Sequence, residues 1–171
     1  MRRELMGWRS RTRLVALGLC ALLSLAGCQS DPSWKIGTSA PQISLLDLKD
    51  ATVKLSAYQG KVIVLRFWTS GCKDCVAGMP AMDRYSRKYQ GRGLQVIAIN
   101  MGDSREVVAG FVTKMQLCYP VLRDPALIAA KKYHVSSVPT TFFIDRKGTA
   151  KMVVPGEVSQ QLFDKEVGAL L

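Results

Sequence analysis

The stretch that most limits what this chain can fold into runs over residues 62–80, VIVLRFWTSGCKDCVAGMP. Val62 to Trp68 is rich in β-branched and aromatic residues, the pattern of a buried strand. Thr69-Ser70-Gly71 breaks it. Cys72 then falls at the mouth of the next helix, and Cys75 about one turn inside. Two sulfurs at this spacing on a helical turn can close a small ring. The helix N-terminus carries unpaired N–H groups and the positive end of the dipole, and both favour a thiolate on the outer sulfur. The pattern predicts a redox pair in which Cys72 attacks and Cys75 resolves.

The chain opens with a basic segment that carries Arg2, Arg3, Arg9, Arg11 and Arg13 against Glu4. An apolar run from Leu14 to Ala26 follows. It is short for a membrane-spanning helix and closes on small residues, as a secretory signal does. Leu25-Ala26-Gly27-Cys28 resembles the lipobox of bacterial lipoproteins. That resemblance implies cleavage before Cys28 and lipid attachment to its sulfur and amine. Two or three acyl chains hold a bilayer far better than one, at about 0.8 kcal/mol per buried methylene. Gln29 stands where the lipoprotein rule for two-membrane bacteria would need aspartate for inner-membrane retention, so either membrane is open.

Removal of residues 1–27 leaves 144 residues, enough for one domain with a sizeable core. The leader holds five Arg and one Glu, so the remainder carries 19 basic and 12 acidic side chains, a net +7. Those basic residues are scattered, which argues against nucleic acid as a partner. Of five cysteines, Cys20 leaves with the leader and Cys28 is assigned to lipid. Cys72, Cys75 and Cys118 remain. Outside the cytoplasm disulfides persist, so a C-x-x-C pair there cycles only against a dedicated donor or acceptor. Cys118 reads as an inert, partly buried thiol. His134, the one histidine, reads as a surface residue in a turn. Met79, Met82, Met101, Met115 and Met152 read as packing. No cofactor is expected and no metal ligands are assigned.

Taken in order, Gln29 to Ser39 reads as a polar tether containing Trp34, and Ala40-Pro41 opens the globular part. Residues 43–48 and 52–55 predict a β-hairpin. The strand at Val62–Trp68 is followed by a helix from Cys75 to Tyr89, kinked at Pro80. Leu94 to Asn100 predicts a second buried strand. Ser104 caps a helix to Met115, with Val107, Val108, Phe111, Val112 and Met115 inward. Residues 119–122 predict a short strand, and Asp124 to Tyr133 a helix with Pro125 in its first turn. Thr140–Ile144 and Thr149–Val154 flank a turn at Asp145–Gly148, and a helix from Val158 closes the chain. Strands alternating with helices around a C-x-x-C indicate an α/β, thioredoxin-like fold: a central mixed sheet flanked by helices, with an N-terminal β-hairpin extension.

Residues 40–171 resemble the extracytoplasmic thioredoxins of the TlpA/ResA type. The matching pieces are Ala40-Pro41, Gly60-Lys61, Phe67-Trp68, Cys72 with Cys75, and Pro80. Tyr119-Pro120-Val121-Leu122, Tyr133-His134-Val135 and Val138-Pro139-Thr140-Thr141-Phe142-Phe143-Ile144-Asp145 with Gly148 complete the series. With the lipobox-like leader read as a lipoprotein signal over residues 1–27 and the polar stretch as a tether over 28–39, the resemblance implies a redoxin domain over 40–171. It implies a cis bond at Val138-Pro139, with Pro139 beside Cys72. Val138, Pro139 and Thr140 would then form the edge that meets a substrate strand. It also implies a reductive thiol–disulfide oxidoreductase on the outer face of a bacterial envelope. Its partners would be disulfide-containing secreted proteins, apocytochrome c among them, and a membrane dithiol donor.

Several residues depart from that group. Gly71 replaces a Trp before the first cysteine, which removes a wall and frees the turn. Lys73 favours a thiolate and Asp74 opposes it. Arg66 shares the facing of Val64 and Trp68 and stands where thioredoxins place a buried acid. It is either partly exposed or paired with an acid such as Asp83, or else a cation beneath the cysteines. Gly78 stands where cytochrome-maturation relatives carry Glu. Two other activities share the motif. A peroxiredoxin-like peroxidase fits Thr69-x-x-Cys72 but would want proline at Leu65 and an arginine near Pro139. A Cu(I) carrier fits two thiolates but would want a third ligand.

Overall fold

The computed structural model describes residues 34–171. The expected signal peptide, the lipidation site at Cys28 and residues 28–33 of the tether lie outside the described residues. The fold is organised around strand β3 (Val62–Trp68), whose seven residues are all buried. β-Branched and aromatic side chains suit a strand covered on both faces. β3 lies between β4 (Leu94–Met101), to which it is parallel, and β6 (Thr140–Ile144), to which it is antiparallel. β4 continues parallel to β5 (Val121–Asp124), and β6 turns antiparallel into β7 (Ala150–Pro155). The hairpin β1 (Ser44–Leu46) and β2 (Thr52–Lys54) adds to β5 at the other edge. The result is one mixed seven-stranded sheet in the order β2-β1-β5-β4-β3-β6-β7.

Alternation along β3 divides the core in two. Val62, Val64 and Trp68 face α1 (Lys73–Tyr89), α2 (Arg105–Met115) and α4 (Gln160–Leu170), through Met79, Met82, Val108, Phe163 and Val167. Ile63, Leu65 and Phe67 face α3 (Ile128–Lys132) and the N-terminal extension, through Ala129, Ala130, Ile43 and Leu55. The chain therefore has the thioredoxin-like architecture, a mixed sheet flanked by four helices.

Three local expectations are corrected. The helix expected from Asp124 is only Ile128–Lys132. Asp124 is instead the last residue of β5, paired with Met101 and buried, and its carboxylate accepts from Ala130 N–H at 2.9 Å. Leu127, in a left-handed conformation, separates strand from helix. Val107 is not inward but 42% exposed, because Val108, Phe111, Val112 and Met115 already form the i, i+3, i+4, i+7 stripe and Val107 stands off it. The tether does not extend to Ser39. Trp34 packs against Tyr133 and Phe142 with ring centroids 5.2 and 5.7 Å away, and its indole N–H donates to Lys132 O. Gly37 N–H and Ala40 N–H donate to Ala150 O and Gly148 O, so residues 34–39 belong to the folded unit. α1 runs continuously from Lys73 to Tyr89 with Pro80 inside it, on its exposed side.

Candidate active site

The site forms where β3 ends and α1 begins. Cys72 is the N-cap of α1, extended in backbone, and its sulfur accepts from Cys75 N–H at 3.1 Å. Cys72 and Cys75 are joined as a disulfide with Cα atoms 5.2 Å apart. Their exposures differ: Cys72 is half-buried, while Cys75 is fully buried against Val64, Trp68 and Met79. An incoming sulfur can therefore reach Cys72 and not Cys75.

Across from the pair, the Val138–Pro139 bond is cis. Val138 O lies 3.7 Å from Cys72 Sγ, a contact in the disulfide and a hydrogen bond that a Cys72 thiol could donate once reduced. Thr140 begins β6 and its hydroxyl donates to Ser137 O at 2.7 Å, which closes the loop on itself. Pro139 O accepts from Gly156 N–H at 2.7 Å, which ties the loop to the end of β7. Val138, Pro139 and Thr140 are thus brought against the cysteines as an edge.

The turn between β3 and α1 is held from below. Asp103, just past β4, accepts from Ser70 N–H at 2.7 Å, Ser70 Oγ–H at 2.9 Å and Asn100 Nδ2–H at 2.6 Å. Burial opposes the charge of Asp103, but the hydrogen bonds from Asn100 and Ser70 outweigh it and hold the carboxyl below its ordinary value. Gly71 does not have a left-handed backbone, and a Cβ there would meet nothing within 4 Å. The turn does not require glycine. Its absence of side chain leaves the approach to Cys72 open. Lys73 and Asp74 both point to solvent in the first turn.

For Arg66 each alternative holds in part: it is 1% exposed and buried beside the cysteines, and it is also paired with an acid. Its acid is not Asp83 but Glu157, at 2.6 Å, and the same nitrogen reaches Cys75 O at 3.4 Å. Asp83 faces the other way, pairing with Arg87 and accepting from Cys118 N–H. Trp68 is fully buried and meets Phe111 edge-on at 5.7 Å, so it supports α2 against the site.

Other residues stay apart. Cys118 is exposed rather than partly buried, and sits beside Asp83, two turns along α1 from Cys75, about 12 Å by helical rise. Desolvation, then its hydrogen bond to Asp83, push its thiol above the ordinary value. His134 is exposed on the opposite side, near Trp34. Among the described residues no group of three or more His, Cys, Asp or Glu side chains could hold a metal ion. Glu157 and Asp103 are the residues that pattern reading misses. Asp103 had a signal, in the polar Asn100-x-x-Asp103 that ends an apolar strand. Glu157, in a Pro-Gly-Glu loop, had none.

The AhpC/TSA family profile matches residues 36–153. The thiol-disulfide oxidoreductase ResA of Geobacillus kaustophilus is 31% identical over 135 residues, which are 79% of this chain and 78% of that protein. The chain belongs to the ResA thiol-disulfide oxidoreductases of the AhpC/TSA family. The ResA of Bacillus subtilis is 29% identical over 89% of this chain and 87% of its own length. Among solved structures, the thiol:disulfide interchange protein DsbE from Chlorobium tepidum superposes with a TM-score of 0.75 at 30% identity, covering 81% of this chain and 99% of its own. A ResA-type assignment makes Cys72–Cys75 the dithiol/disulfide pair of a thiol–disulfide oxidoreductase.

Proposed function

We propose that the chain is a reductase of the bacterial envelope, anchored by lipid on Cys28, that reduces disulfides of secreted proteins through Cys72 and Cys75. Apocytochrome c is one substrate of the right class. The observation that carries the reading is the asymmetry of the pair: an accessible Cys72 at a helix N-cap facing Val138 O, and a buried Cys75 behind it. The Cys72 thiolate attacks one sulfur of a substrate disulfide. A Cys72–substrate bond forms, and the other substrate sulfur leaves as a thiolate that takes up a proton. Cys75, deprotonated, attacks Cys72 Sγ and releases the second substrate sulfur. The substrate gains two electrons and the pair loses two. A membrane dithiol then returns the pair to the reduced state. Val138 and Thr140 align the substrate backbone along the edge beside Pro139, and the N-terminal dipole of α1 favours the Cys72 thiolate.

The test is capture in the native envelope with Cys75→Ser. The expected result is mixed disulfides between Cys72 and secreted proteins, reversed by dithiothreitol and lost when Cys72 is also replaced. A Cys75→Ser chain that captures nothing, or that captures partners equally well without Cys72, contradicts it.

A further inference from the structure

Beneath the cysteine pair lies a charged unit that the thiol chemistry above does not use. Arg66 is 1% exposed, and its Nε and Nη1 are buried without a hydrogen-bond partner. A cation in that position exerts its field through low dielectric, where it is screened little. Its one carboxylate is Glu157, whose side chain is 41% exposed. Glu157 reaches Arg66 only because Gly78, one turn after Cys75 on α1, has no side chain. A Cβ on Gly78 would lie 1.9 Å from Glu157 Oε1, 2.5 Å from its Cδ and 2.7 Å from Arg66 Nη2. The carboxylate is delivered by a turn whose Gly156 has φ +85 and donates its N–H to Pro139 O. The ion pair thus touches both halves of the site: Cys75 O through Arg66, and the cis-proline loop through Gly156.

We propose that Arg66 and Glu157 are positioning residues that set the redox poise of the Cys72–Cys75 pair, with the Glu157 carboxylate holding back the buried Arg66 cation. The inference rests on the redox reading of the two cysteines and deepens it. The disulfide is neutral, whereas the reduced pair carries a thiolate. A buried cation beside Cys75 stabilises the reduced pair, and a carboxylate on that cation opposes it. Because the carboxylate is half in solvent and the guanidinium is not, cancellation is partial, and a net positive field remains on the cysteines. Lys73 and Asp74, between the two cysteines, are exposed in the first turn of α1, and the ionisable groups near the ion pair are Tyr119, ahead of β5, and Tyr85 of α1. Both phenols are pushed up by burial and stay neutral through the working range. Arg84, Asp83, Cys118 and Asp164 act on these phenols from farther out.

The test equilibrates the full chain with dithiothreitol redox buffers and follows alkylation of the reduced pair against pH. Glu157→Gln keeps a hydrogen-bonding group on Arg66 and removes the charge. It is expected to shift the equilibrium at least tenfold toward the dithiol, about 30 mV more oxidising, and to lower the titration midpoint of the reactive thiol. Gly78→Ala, which displaces the carboxylate while favouring the helix, is expected to shift both readouts in the same direction. Arg66→Leu is expected to shift both in the opposite direction, and Arg66→Leu with Glu157→Gln to return near the wild-type values. Unchanged potential and midpoint in both Glu157→Gln and Gly78→Ala overturn the inference while leaving the redox reading intact, even if the variants melt earlier. A wild-type pair that does not cycle in these buffers overturns the redox reading and this inference together.

Discussion

At the scale of single residues, Asp103 decides how firmly the active-site turn is held. Three donors converge on it, and two of them belong to Ser70, two residues before Cys72. Asp103→Ala is expected to cost about 1–2 kcal/mol of stability at pH 7, since hydrogen bonds to a charged group are the stronger kind and this one is half exposed. The sign with pH follows from its lowered value. An acid whose folded value lies below its unfolded one contributes fully above the unfolded value, near 3.8, and loses that contribution as pH falls through the folded one. Urea denaturation should therefore show the gap between wild type and Asp103→Ala narrowing below pH 4. A gap that stays constant down to pH 2 would show that the carboxylate charge contributes nothing. Arg66 illustrates what sequence conveys about one residue. Its burial stayed open between a partly exposed side chain and a cation beneath the cysteines, but its facing followed from the period-two alternation of β3. Its partner did not, because Glu157 lies 91 residues away in a loop without local pattern.

Elements differ in how legible they were. β3 and β6 match the expected ranges residue for residue, because short stretches rich in β-branched and aromatic residues between turn residues favour strand over helix. The cap Ser104 was also readable, since it occupies the position before a helical pattern, whereas α1 begins at Lys73, two residues before the expected start at Cys75, which makes Cys72 its cap. α3 was misread because Asp124-Pro125 imitates a helix start, whereas pairing with Met101 keeps Asp124 in the sheet. The N-terminal segment was misread because polar composition suggested a tether, while one tryptophan secures it to an aromatic cluster. Trp34→Ala is expected to lower stability by about 2 kcal/mol, less than a fully buried tryptophan would, by loss of packing on Tyr133 and Phe142. Hydrogen exchange should then speed at Gly37 and Ala40, whose N–H groups bond to the β6–β7 hairpin. Unaltered stability and exchange would return residues 34–39 to the status of a tether.

Across the whole molecule, the sheet places a half-buried sulfur, a buried sulfur and a cis-proline edge at one end of β3, and the one free thiol among the described residues, Cys118, lies apart from them beside Asp83. On the proposed lipid anchoring, the place where the molecule works is set by Cys28. Cys28→Ser is expected to move the chain from the membrane to the soluble fraction of the envelope while the reduced pair keeps its activity, and a variant that still sediments with membranes would contradict lipid anchoring through Cys28. The central claim is the division of labour between the two sulfurs. It is tested most directly by reduction of insulin disulfides, followed through one turnover and then at steady state. The account predicts no activity for Cys72→Ser. For Cys75→Ser it predicts a single stoichiometric attack that stalls as a Cys72–insulin mixed disulfide. Full turnover by Cys72→Ser would contradict it.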